Sequence, residues 1–117
     1  SNAGTTVAGS SGSAGSSRSQ LRYPSTVFVS PNQDMYILDT NNYRVLKWQL
    51  GEPLGYIVAG GNGNGAAFTQ IGASYALFVD SNYSIYISEQ TNHRVTKWSS
   101  RNISAVFPAP FPPTTLH

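Results

Sequence analysis

No cysteine occurs anywhere in the chain, so it can build neither a disulfide framework nor a thiolate metal site, and its redox compartment goes unread. Charge is nearly as scarce. Asp, Glu, Lys and Arg make up 10% of the residues, where about a quarter is ordinary. The seven Lys and Arg exceed the five Asp and Glu by two, too small an excess to argue for nucleic acid as a partner. No stretch approaches the ~20 consecutive apolar residues of a membrane-spanning helix, and no membrane partner is expected. Histidine is limited to His93 and His117, neither with a second ligand at metal spacing. Nothing in the chain has helical period either. What is abundant is Gly, Ser, Asn and Thr, the composition of a turn-rich all-β protein, and 117 residues set a limit of one domain.

The organising stretch is Asp39-Thr-Asn-Asn-Tyr-Arg-Val-Leu-Lys-Trp48, which returns fifty positions later as Glu89-Gln-Thr-Asn-His-Arg-Val-Thr-Lys-Trp98. Asn42/Asn92, Arg44/Arg94, Val45/Val95, Lys47/Lys97 and Trp48/Trp98 are identical. Such spacing marks a supersecondary unit of about fifty residues that cannot bury its apolar faces alone.

Each unit reads as four short strands. Residues 4–9 match Gly55 to Gly60 and read as a strand closed by glycine. Glycine-rich loops follow, Ser10 to Gln20 and Gly61 to Gln70. Residues 25–30 and 75–80 are apolar on consecutive positions, which predicts strands covered on both faces. Four-residue turns lead to Met35–Leu38 and Ile85–Ser88, completing hairpins. Third strands span 44–48 and 94–98, and Tyr56–Ala59 is the fourth strand of the first unit. Residues 103–107 offer a fourth strand to the second unit, in competition with residues 4–9. The Pro-rich tail 108–117 reads as extended, closing the domain. Ser1-Asn2-Ala3 reads as a tag remnant, which divides the chain into 1–3, the strand and loop 4–22, units 23–60 and 61–107, and the tail.

Sheets apolar on both sides fit radially repeated four-stranded blades better than a two-sheet sandwich with one polar face. From Pro24 to Trp48 and from Leu77 to Trp98 the sequence resembles the NHL-repeat family of β-propellers, the likeness covering roughly residues 4–105. It departs at Ser74 for Pro24, at Glu89 for the Asp closing the second strand, and at Gln33 and Tyr83 for a usual turn glycine. The resemblance implies an all-β fold of two four-stranded antiparallel blades. Six would be reached by oligomerisation, three copies head to tail being favoured, or by a longer parent chain. It also implies that Asp39, Asn42, Arg44 and their counterparts Glu89, Asn92, Arg94 are structural, the carboxylates and arginines holding the loop between second and third strands.

The function expected is that of a non-enzymatic scaffold binding a protein or other ligand through one loop face. Candidate residues there are Arg18, Asn41, Tyr43, Phe68, Gln70 and His93. Single-stranded RNA binding and a channel-sited lyase or hydrolase are the alternatives that the resemblance leaves open. No catalytic group, metal or cofactor is expected. Gly60-Gly-Asn-Gly-Asn-Gly65 has no helix after it to cradle a phosphate and reads as a turn. Trp48 and Trp98 read as packing. The sequons at Asn82 and Asn102 tilt toward an extracellular or secreted source.

Overall fold

Alternating turn and β-forming segments lay each unit down as a meander, with every strand paired to its sequence neighbour. The structure, a computed structural model, describes residues 4–67, 69–99 and 114–116 and is all-β. Strands β1 (Pro24–Val29), β2 (Met35–Asp39), β3 (Arg44–Trp48) and β4 (Tyr56–Gly60) form one antiparallel sheet in that order. Strands β5 (Ser74–Val79), β6 (Ile85–Glu89), β7 (Arg94–Trp98) and β8 (Thr114–Leu116) form the second. Registers repeat at the fifty-residue offset. Phe28 faces Tyr36 as Phe78 faces Tyr86, Asp39 faces Arg44 as Glu89 faces Arg94, and a bulge follows Pro24 as it follows Ser74.

Three expectations are corrected. Residues 4–9 form no strand; the segment lies against the first sheet through Ala8, with Gly9 at φ +83 beside Leu21. The second sheet is completed by Thr114–Leu116, out of the tail, through Val95↔Leu116, Thr96↔Thr115 and Lys97↔Thr114. Residues 103–107, the other candidate, lie outside the described residues. The strand buried on both faces is β2 and not β1, where Val27 and Val29 are each 57% exposed. An inner strand has sheet neighbours on either side and packed layers above and below; β1 is an edge strand, and its Val27 and Val29 face has little cover among the described residues.

The core has two layers. The larger lies between the sheets: Tyr36, Leu38 and Val45 of the first meet Val79, Ile85, Ile87 and Trp98 of the second, with Ile71 filling the junction. Burying each such side chain contributes about 1.5–3 kcal/mol before entropy is set against it. The smaller layer is the other face of the first sheet, Met35, Ile37, Leu46 and Trp48, partly covered by Ala8 and Leu21. Polar ties reinforce the inter-sheet contact. Thr26 Oγ1 donates to the Tyr75 carbonyl at 2.7 Å and Thr40 Oγ1 to the Ser74 carbonyl at 3.0 Å.

Candidate functional site: the loop-clamping nodes

A buried carboxylate is tolerable only when its lone pairs are taken by donors. Asp39, fully buried at the end of β2, accepts from the Arg22 backbone N–H at 2.7 Å on Oδ1 and from Asn42 Nδ2 and Arg44 Nε, both at 2.8 Å, on Oδ2. The rest of the Arg44 guanidinium donates to the carbonyls of Ser16, Ser17 and Gln20, each at 2.9 Å, and Asn42 donates to Gly15 at 2.8 Å. The node therefore does more than fix the turn between β2 and β3. It also fastens residues 15–22, the second half of the long loop and the approach to β1, to the end of the β2–β3 hairpin.

The second unit builds the same node with one more methylene. Glu89 Oε1 alone accepts from Gly72 N–H (3.1 Å), Asn92 Nδ2 (2.9 Å) and Arg94 Nε (3.0 Å). Oε2, thereby freed, accepts from Thr96 Oγ1 at 2.7 Å, where the first unit has Leu46. Arg94 and Asn92 reach the carbonyls of Ala66, Gln70 and Gly65. Glu89 and Thr96 are thus a matched pair of changes, a signal present in the sequence but not used there.

The candidate binding residues are placed unequally. Asn41 and His93 are exposed in the turns between second and third strands. Tyr43, in the position equivalent to His93, is half-buried against the inter-sheet core, and both take left-handed backbone at φ 52. Arg18 engages the entry to β4: its Nε donates to the Gly55 carbonyl at 2.8 Å and its guanidinium lies over the Tyr56 ring at 4.8 Å. Gln70 braces its own loop, accepting from Ala67 N–H and donating to the Asn62 carbonyl. Phe68 lies outside the described residues, as does Asn102 of the second sequon.

Two features escaped sequence reasoning. In the turn between β5 and β6, Asp80 Oδ1 accepts from the N–H groups of Asn82 (2.9 Å) and Ser84 (3.0 Å), and Oδ2 from the Tyr86 hydroxyl (3.2 Å). The Ser84 N–H above all, aided by Asn82, Tyr86 and the charge of Lys97 against some desolvation, holds its carboxyl below the usual range. The first unit has Ser30 at that position, and the equivalent Tyr36 hydroxyl is buried without a partner among the described residues. Burial first, then the charges of Asp34 and Tyr83, pushes the Tyr36 hydroxyl up to about 12.

Among the described residues no group of three or more His, Asp or Glu is placed to hold a metal ion. Compared with protein-family models and with curated proteins, the chain matches none.

Proposed function

We propose that the two units are NHL-type propeller blades serving as a non-enzymatic scaffold that binds a protein or peptide through its loop face. The observation that carries this reading is the pair of nodes: each fastens a glycine-rich loop and the neighbouring turn to a rigid sheet, with Asn41 and His93 left exposed. Loops rigidly held on a scaffold lose little entropy on binding, the usual design of a recognition surface. The same nodes weigh against RNA. The guanidiniums of Arg44 and Arg94 are occupied by carboxylates and carbonyls, which withdraws them from phosphates.

A displayed random-peptide library selected against the folded chain, followed by amide-shift mapping of an enriched peptide, tests the reading. Shifts gathered at residues 40–43, 90–93 and the glycine-rich loops support it. No enrichment, or shifts confined to the strand faces, sinks it. Titration with mixed oligoribonucleotides at low salt is the counter-test, and salt-sensitive shifts in those same loops would favour RNA.

A further inference from the structure

Superposing one unit's burial on the other's exposes two faces that match. In the contact between the sheets, the second sheet offers Leu77, Val79, Ile85, Ile87 and Trp98, and the first receives them on Tyr36, Leu38 and Val45. The first sheet carries its own version of the offering face: Val27 and Val29 stand where Leu77 and Val79 stand, in cross-strand register with Ile37 and Met35. Val79 is 3% exposed and Val29 57%. The second sheet carries its own version of the receiving face, with Tyr86, Ser88 and Val95 for Tyr36, Leu38 and Val45. Val45 is 0% exposed and Val95 38%, and Phe78, paired with Tyr86 on the far strand of that face, is 57% exposed.

We propose that copies of this chain associate head to tail, the Val95 face of one copy's second sheet docking on the Val27 face of the next copy's first sheet. A second copy fits there because the two faces repeat the two halves of the contact between the sheets within one chain. Complementary but different patches make a heterologous contact, which propagates until a ring closes.

The N-terminal segment supports the same arrangement. Gly9 approaches Leu21 on the first sheet as Gly60 approaches Ile71 at the second, and Ala8 occupies the place of Ala59. Residues 4–9 thus lie where the last strand of a preceding unit would lie. Docked so, they reach the β7 edge that Thr114–Leu116 occupies in the single chain, and one fourth strand replaces another. The new contact is weaker than the internal one. Ala76 replaces Thr26, Gln90 replaces Thr40 and Ser88 replaces Leu38, which removes the hydroxyl ties and one apolar anchor. Neither face includes the glycine-rich loops or the turns between second and third strands, so docking leaves the loop face open.

Sedimentation equilibrium on the full chain with Val95→Lys and Val27→Lys tests it. Both positions are exposed in the single chain, so each variant is expected to keep its fold, checked by circular dichroism; Ser88→Lys and Val29→Lys replace any that does not. The wild type is expected at twice the mass of the 12.6 kDa chain or a higher integer multiple. Each variant alone is expected to be a monomer, and an equimolar mixture a two-chain particle and nothing larger, since the mixture retains one intact pair of faces. A wild type that stays monomeric to millimolar concentration overturns the proposal. So does a mixture that stays monomeric, or a self-association that only one of the two variants disturbs, which would mean a face pairing with itself.

Discussion

The two units share a backbone and differ in company. The first sheet has the second against one face and Ala8 and Leu21 against part of the other; among the described residues the second has a packed neighbour on one face only. Equivalent residues therefore meet different surroundings, Val45 sealed and Val95 open, Arg44 buried and Arg94 half-buried. The strand register does not respond to this difference, because it is set inside each sheet by the cross-strand pairs and the turns. What responds is how much each side chain contributes, and that makes the pair a natural experiment in which sequence position is held fixed and environment is varied.

The largest effect is expected at the nodes. Asp39→Ala leaves the Arg44 guanidinium buried without its counter-charge, at a cost of about 3–5 kcal/mol, a large share of the roughly 5–15 kcal/mol that holds a domain together. Glu89→Ala removes the same partner from Arg94, whose side chain is 17% exposed against 5% for Arg44, so water recovers part of the loss. Urea denaturation of both variants is expected to rank Asp39→Ala as the more damaging. Equal losses would mean that burial does not separate the two nodes.

Next in size is the matched pair of changes in the second node. Glu89→Asp pulls the carboxylate back from Thr96, and Thr96→Leu leaves Oε2 without its donor; each is expected to cost about 1–2 kcal/mol. Made together they recreate the residue set of the first unit, and a double-mutant cycle is expected to show a favourable coupling of about 1 kcal/mol. Recovery stays partial, because Trp98 Nε1 donates to Thr96 Oγ1 at 3.1 Å and loses that acceptor, whereas Trp48 donates to the Glu52 carbonyl instead. Additive losses would refute the pairing.

These nodes also show what the sequence could reveal. The recurrence of Arg44 and Trp48 at Arg94 and Trp98 places both third strands, and of the eight strands among the described residues seven lie close to where apolar runs and turns put them. The eighth was not legible. A strand at Thr114–Leu116 follows a run of prolines, and its pairing depends on which edge of β7 is left open, a tertiary matter that local pattern does not carry. For the same reason residues 4–9, which match β4 in sequence, form no strand. They have the right residues and no partner edge. The mutual bonding of Asp39 and Arg44 was readable from their types; their grip on the carbonyls of residues 15–20 was not, because carbonyls have no residue identity.

A smaller contrast separates the two tyrosines. Tyr36→Phe removes an unpartnered buried hydroxyl and is expected to stabilise by about 1 kcal/mol, while Tyr86→Phe removes a bond to Asp80 and is expected to destabilise slightly. The pH dependence follows the same residue. The folded pKa of Tyr36 lies above its unfolded value, so its contribution is intact below the ordinary tyrosine pKa of about 10 and is lost as pH rises toward about 12. Denaturation followed across that alkaline window is expected to show a steeper fall in stability for the wild type than for Tyr36→Phe. Parallel curves would assign the alkaline loss to other groups.

The smallest effect lies in the hairpin turns, where Gln33 and Tyr83 hold φ 71 and φ 62, a region in which a Cβ is strained. Glycine there relieves roughly 1–2 kcal/mol of strain and gives back about 0.4–1 kcal/mol through the greater freedom of the unfolded chain. Gln33 is exposed and makes no side-chain hydrogen bond among those described, so Gln33→Gly is expected to raise stability by about 0.5 kcal/mol. Tyr83 is 38% exposed and surrenders packing as well, so Tyr83→Gly is expected to gain nothing or lose slightly. If thermal melts place the two substitutions at the same shift, the packing of Tyr83 contributes nothing, and these turns differ only in the identity of their residues.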